Sequence, residues 1–155
     1  MQDCSLDPCL FAHAYRDGAA VVPTPFALAT FTSWIDAEFK AIPCAVRFWT
    51  GDVSLTECKA AFTQFGVLNV SIANNTHPFL TPEQNAKFRA IHDWHHIETG
   101  ADDSLNGEHT TYCHAASVAP HSIGWILFSE IVLQAAAAIH FGEFQAQKLV
   151  KVGGF

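Results

Sequence analysis

Residues 81–100 read TPEQNAKFRAIHDWHHIETG. The stretch carries its own helix signals. Thr81 can N-cap, Pro82 suits the first helical position, and Gln84 completes a capping box. The helix should run to about Gly100. Phe88, Ile91 and His95 fall on one stripe. His92 and His96 are four apart, so they stack on the neighbouring stripe. Three histidines, an aspartate and a glutamate therefore crowd into residues 91–98 of a chain with only 15% charged residues.

Working outward, most of the chain reads as helix. At 24–42, Thr24 can N-cap and Pro25 fits the first turn; Leu28, Phe31, Ile35, Phe39 and Ile42 give a helical stripe, and Pro43 stops it. CAVRFWT at 44–50 is β-prone, and Gly51-Asp52 turns the chain. Ser54 and Glu57 form a second capping box. Leu55, Cys58, Ala61, Phe62 and Phe65 give that helix an apolar face, and Gly66 ends it. VLNVSIA at 67–73 reads as a strand, followed by a turn at 74–78. Residues 101–107 read as a loop, with a further helix from about Glu108 to Pro120. A long apolar helix follows at 123–141. Residues 1–23 show no clear period and are expected to be irregular, with a short strand at 19–22. The expected fold is mainly α (α+β): a single domain over 1–155, a helical bundle with a small two- or three-stranded sheet, and a helical metal-site region at 79–147.

Composition excludes several classes. With half its 155 residues hydrophobic, including 13 Phe and 4 Trp, the chain is too apolar to be disordered. It predicts a large core, a subunit interface, or both. The net charge of −7, with no Lys/Arg cluster, argues against binding a phosphate backbone. No nucleic-acid partner is expected. The apolar stretch 123–141 nearly reaches membrane-spanning length, but Glu130, Gln134 and His140 interrupt it. A charge at mid-bilayer is costly, so a buried helix is the better reading and no membrane partner is expected. No signal peptide is visible. The five cysteines contain no CxxC pair and suit small buried residues in a reducing compartment. Cys4 and Cys9 flank a turn and could bridge or ligate a metal. No P-loop, Rossmann glycine pattern or GxSxG elbow occurs.

What the histidine-rich helix offers is metal chemistry. Two imidazoles one helical turn apart can reach a single ion. His92-Asp93-x-x-His96 has the spacing of the HExxH zinc hydrolases, with Asp93 in the place of the glutamate that polarises a metal-bound water. Aspartate is one methylene shorter. Downstream, Glu130 and Gln134 share an otherwise apolar helical face. A buried carboxylate needs a cation or a proton, and residues 90–147 hold seven His and no Lys or Arg. A divalent ion is the natural missing cation. Trp94, His13, His77, His121 and His140 read as structural residues.

The run FRAIHDWHHIETG…NGEHTTYCHAASVAP…FSEIVLQ resembles a pattern in proteins of bacteriophages and mobile elements, roughly fRavHDxxxHaxTG…GE…H…(S/A)P…E-x3-Q. It falls on Phe88-Arg89-Ala90, His92-Asp93, His96, Thr99-Gly100, Gly107-Glu108, His114, Ala119-Pro120, Glu130 and Gln134, about the last half of the chain. HPFLTPEQN extends it loosely upstream. The chain departs from the pattern at His95, where glycine is usual; that histidine is either a further ligand or faces solvent. The resemblance implies a metal-binding domain, often part of larger phage proteins that accompany injected DNA. Residues and resemblance together predict a metal-dependent hydrolase. His92, His96, Glu108 and His114 are the expected ligands, and Asp93 or Glu130 acts on bound water. Zinc is the first expectation for the ion, then iron or manganese. His92, His96, Glu108, His114 and Glu130 should converge. The competing expectation is a structural or virion-associated protein whose His/Glu cluster only knits helices together. A homo-oligomer, or assembly into a larger phage particle, in host cytoplasm or virion, completes the reading.

Overall fold

In the computed structural model, which describes residues 6–154, the chain is mainly α with one two-stranded parallel sheet among those residues. Backbone contacts divide it into two compact units. Residues 28–100 form the middle unit; residues up to 27 and from 101 onward form the other. The helix α2 (Pro25–Ala41) carries the chain from one into the other. Its entry is the one expected, with Thr24 Oγ1 accepting from the Ala27 amide at 3.1 Å.

The middle unit is built around a β–α–β crossover. Strand β1 (Ala45–Trp49) leads through α3 (Leu55–Phe65) to β2 (Val67–Ser71). The two strands pair in parallel, Ala45 opposite Val67. A parallel pair needs such a crossover, because a tight turn can only reverse the chain. Ser54 and Glu57 close a capping box at the start of α3, and Gly66 ends it with a φ of 65°. The alternation of β2 is one-sided: Leu68 and Val70 are fully buried. They meet Cys58 and Ala90, with Phe39, Ile42, Val46, Trp94 and Ile97 packed around them. The Phe62 and Trp94 rings meet edge to face at 5.4 Å, as do Phe31 and Phe88. Helix α4 (Pro82–Thr99) has its Thr81/Gln84 capping box and a left-handed Gly100.

Arg89 fastens α4 to the end of β2. Its guanidinium donates to the carbonyls of Ser71 (3.1 Å), Ala73 (2.7 Å) and Asn74 (3.2 Å). These are backbone acceptors left over where the strand ends, and a rigid fork of donors suits them.

In the other unit, α1 (Pro8–Asp17) corrects the expectation of an irregular N-terminal segment. Asp7 N-caps it, accepting from the Cys9 amide at 2.9 Å, and Pro8 opens it. Its hold is tertiary: Ala12 and Tyr15 are fully buried. The Tyr15 hydroxyl accepts from the Lys148 amide (3.1 Å) and donates to the Lys148 carbonyl (3.2 Å). Residues 19–22 are not a strand, although Val21 donates to the Leu149 carbonyl at 2.8 Å.

Helix α5 (Leu105–Val118) starts three residues earlier than expected, because Ser104 caps it by accepting from Gly107. At Gly107 a Cβ would overlap the Asp102 carbonyl, so glycine is needed here for close approach. Helix α6 (His121–Phe141) is long and apolar enough to cross a membrane by length and composition, yet 56% of its most apolar window is buried within the protein. It is not uniform. A 3₁₀ turn (His121–Ile123) opens it, and a π-helical stretch (Phe128–Leu133) interrupts its middle. Phe128 stacks edge to face on Phe11 of α1 (5.7 Å) and Tyr112 of α5 (5.1 Å). Ser129, fully buried, accepts from the Val150 amide at 2.9 Å. The C-terminal segment is thereby held against α6 and α1.

Candidate metal centre

Histidine and carboxylate groups that could hold a metal ion are present in both units. The five residues expected to converge divide between them: His92 and His96 belong to the middle unit, and Glu108, His114 and Glu130 to the other.

The structure brings His92 and His96 together. Both project from the last two turns of α4, with their Nε2 atoms 3.2 Å apart and their rings edge to face at 4.6 Å. His96 is only 2% exposed, and His92 is half-buried. The spacing has a chemical meaning. Two nitrogens each about 2.05 Å from a tetrahedral zinc stand roughly 3.3 Å apart. The pair thus has the bite of a bidentate ligand. The same distance also permits one neutral imidazole to donate to the other.

Asp93 lies one residue on and faces elsewhere, as the 100° step of a helix requires. Burial, with the Asp93 charge adding to it, pushes the Cys58 thiol up to about 12. Burial pulls the Arg89 guanidinium down, and Asp93 opposes that. The carboxylate therefore acts on the side of α4 that carries Arg89 and meets Cys58.

His95 does not face solvent. It is 2% exposed, with Nε2 3.9 Å from a Glu38 carboxylate oxygen of α2. This corrects the solvent reading: on the helix His95 shares the stripe of Ile91 and Phe88, which is the buried one. His77 is structural, as expected; its Nδ1 accepts from the amides of Phe79 and Leu80 at 3.0 and 3.1 Å.

In the other unit, Glu108 is buried in the first turns of α5, and its carbonyl accepts from Thr111 at 2.8 Å. His114 lies half-buried two turns further along the same helix. Glu130 sits inside the π-helical stretch of α6. Gln147 donates to it at 3.5 Å, and its charge helps to raise the buried Tyr15 hydroxyl. The largest cause of that shift is burial, and the Lys148 backbone opposes it.

A further group was missed by the sequence reading. Cys9, His13 and His140 offer ligand atoms that all lie within 4.8 Å of one another. Cys9 and His13 are four apart, which is a visible signal only once residues 8–17 are known to be helical.

Comparison with known proteins gives no match to a family model, a curated protein or a solved structure.

Proposed function

We propose that this chain is a metal-dependent hydrolase in which His92 and His96 are the primary ligands of a divalent ion, zinc before iron or manganese. The observation that carries the proposal is the 3.2 Å separation of the two Nε2 atoms on one helix face, close to the bite of a tetrahedral zinc site. The half-burial of His92 supports an ion with one side left for water, the condition for catalysis rather than a closed structural site. Asp93, one residue on from His92 on the same helix, takes the proton from bound water in this reading. These roles rest on residue type and spacing. The phage or mobile-element origin rests on the resemblance across residues 88–134.

A structural role is the second reading, favoured by the near-complete burial of His96, since a closed shell of protein ligands holds a fold and leaves no open position.

Zinc titration of the purified protein tests the proposal. His92→Ala and His96→Ala should each remove one equivalent of bound ion, and His77→Ala should change nothing. Full retention in both His92→Ala and His96→Ala overturns it. If the ion is bound but no hydrolytic activity accompanies it, the structural reading replaces the catalytic one.

A further inference from the structure

We propose a second metal site, independent of the first, at Cys9, His13 and His140, for a borderline-soft divalent ion of the zinc class. Each residue offers one ligand atom, and these atoms lie within 4.8 Å of one another. Cys9 and His13 are one turn apart on α1, so both point to the same side of the helix. His140 stands in the last turn of α6, and its ring meets that of His13 edge to face at 5.5 Å. Phe141 sets both imidazoles: its ring lies 5.5 Å from His13 and 4.9 Å from His140.

The donor set decides the class of ion. A thiolate and two imidazoles suit zinc and exclude calcium and magnesium, which take oxygen ligands. The three ligands need only close in by about an ångström to reach tetrahedral spacing. Cys9 and His140 are exposed, so closing in displaces no buried side chain, and the fourth position opens to water.

A second observation supports the site. Ligand histidines usually hold a carboxylate on the ring nitrogen that does not touch the metal. Asp17 Oδ2 lies 3.4 Å from His13 Nδ1, which leaves Nε2 for the ion. Arg16 also reaches Nδ1, at 2.8 Å. A guanidinium only donates, so in that arrangement the His13 proton is on Nε2. Metal binding moves the proton to Nδ1, where Asp17 accepts it. Arg16 keeps its own bond to Asp17 Oδ1, at 2.9 Å, and its face over Phe141. The thiol proton of Cys9 leaves to solvent as the metal–sulfur bond forms.

Cobalt(II) is the probe, because a thiolate ligand gives it a sulfur-to-metal charge-transfer band that imidazole and carboxylate ligands do not. The protein, kept reduced, should show this band by two equivalents, when both sites are filled. Cys9→Ser should abolish it, and His13→Ala and His140→Ala should weaken or abolish it. Asp17→Asn should lower the affinity about 10–100-fold. The band should survive in Cys113→Ser, which removes the exposed thiol beside His109. It should also survive in the His92→Ala/His96→Ala double variant, so failure of this site and failure of the first are read separately. Circular dichroism of each variant checks its fold. No band in the wild-type protein, a band that survives Cys9→Ser, or one that is lost with Cys113→Ser overturns the proposal.

Discussion

Alkaline titration tests how the middle unit is built around Cys58. The thiol is 1% exposed among Leu68, Val70 and Ala90. Burial first, and Asp93 second, raise it from 9.0 to about 12. The folded form thus holds its proton more tightly than the unfolded form. The stability this contributes is complete below pH 9 and is lost as pH rises towards 12. Three units correspond to about 4 kcal/mol at most, and at pH 10.5 the loss should be about 2 kcal/mol. Urea unfolding at a series of pH values, in wild type and Cys58→Ala, isolates the effect. Tyr15 and Tyr112, both raised mainly by burial, contribute to the slope of both proteins and cancel in the difference. Wild type should lose stability faster than Cys58→Ala above pH 9. Identical slopes would refute the reasoning, as would reaction of the native thiol with a disulfide reagent at pH 9.

Asp93→Asn should move the Cys58 thiol downwards, seen as reaction with the same reagent at lower pH; in the catalytic reading it should also keep the metal and abolish turnover. An unmoved thiol would mean that the carboxylate does not act on Cys58. Arg89→Met removes three charge-assisted bonds to backbone carbonyls at the end of β2 and should cost about 2–4 kcal/mol in urea unfolding; a loss under 1 kcal/mol would show that water replaces the guanidinium freely. Gly107→Ala forces a Cβ onto the Asp102 carbonyl, so it should destabilise α5 by about 1–3 kcal/mol, read as a lower thermal midpoint, whereas Gly51→Ala, which meets nothing, should not.

What the sequence made legible was local. The starts of α3 and α4 rest on side chains bonding backbone three residues away, so Ser54/Glu57 and Thr81/Gln84 announce them without any knowledge of the fold. Helix α1 was illegible because its apolar positions make sense only beside Tyr15's partners, Lys148 and the C-terminal segment, more than a hundred residues away. The start of α5 was misread because a glycine at 107 resembles a break, while its role is to let Asp102 approach. The π-helical stretch of α6 has no sequence signature, although it changes which residues share a face with Glu130. At the site, the spacing of His92 and His96 was readable and the buried place of His95 was not. Cys9 and His140 stand 131 positions apart, and no local pattern joins them.

The non-contiguous unit has a consequence for the order of events during synthesis. Residues 28–100 form their own contacts in one uninterrupted stretch, so the β–α–β crossover and α4 can assemble as soon as they leave the ribosome. Helix α1 is made before the middle unit but has to wait until after it for its partners. The groups that satisfy it, the Lys148 amide for Tyr15 and the Leu149 carbonyl for Val21, are made only after the whole middle unit. Until then, a short helix with an apolar face stands unsupported ahead of the middle unit. A ribosome stalled near residue 140, with all of residues 28–100 outside the exit tunnel and Lys148 not yet made, should therefore display a middle unit resistant to protease and an α1 segment that is cut at once.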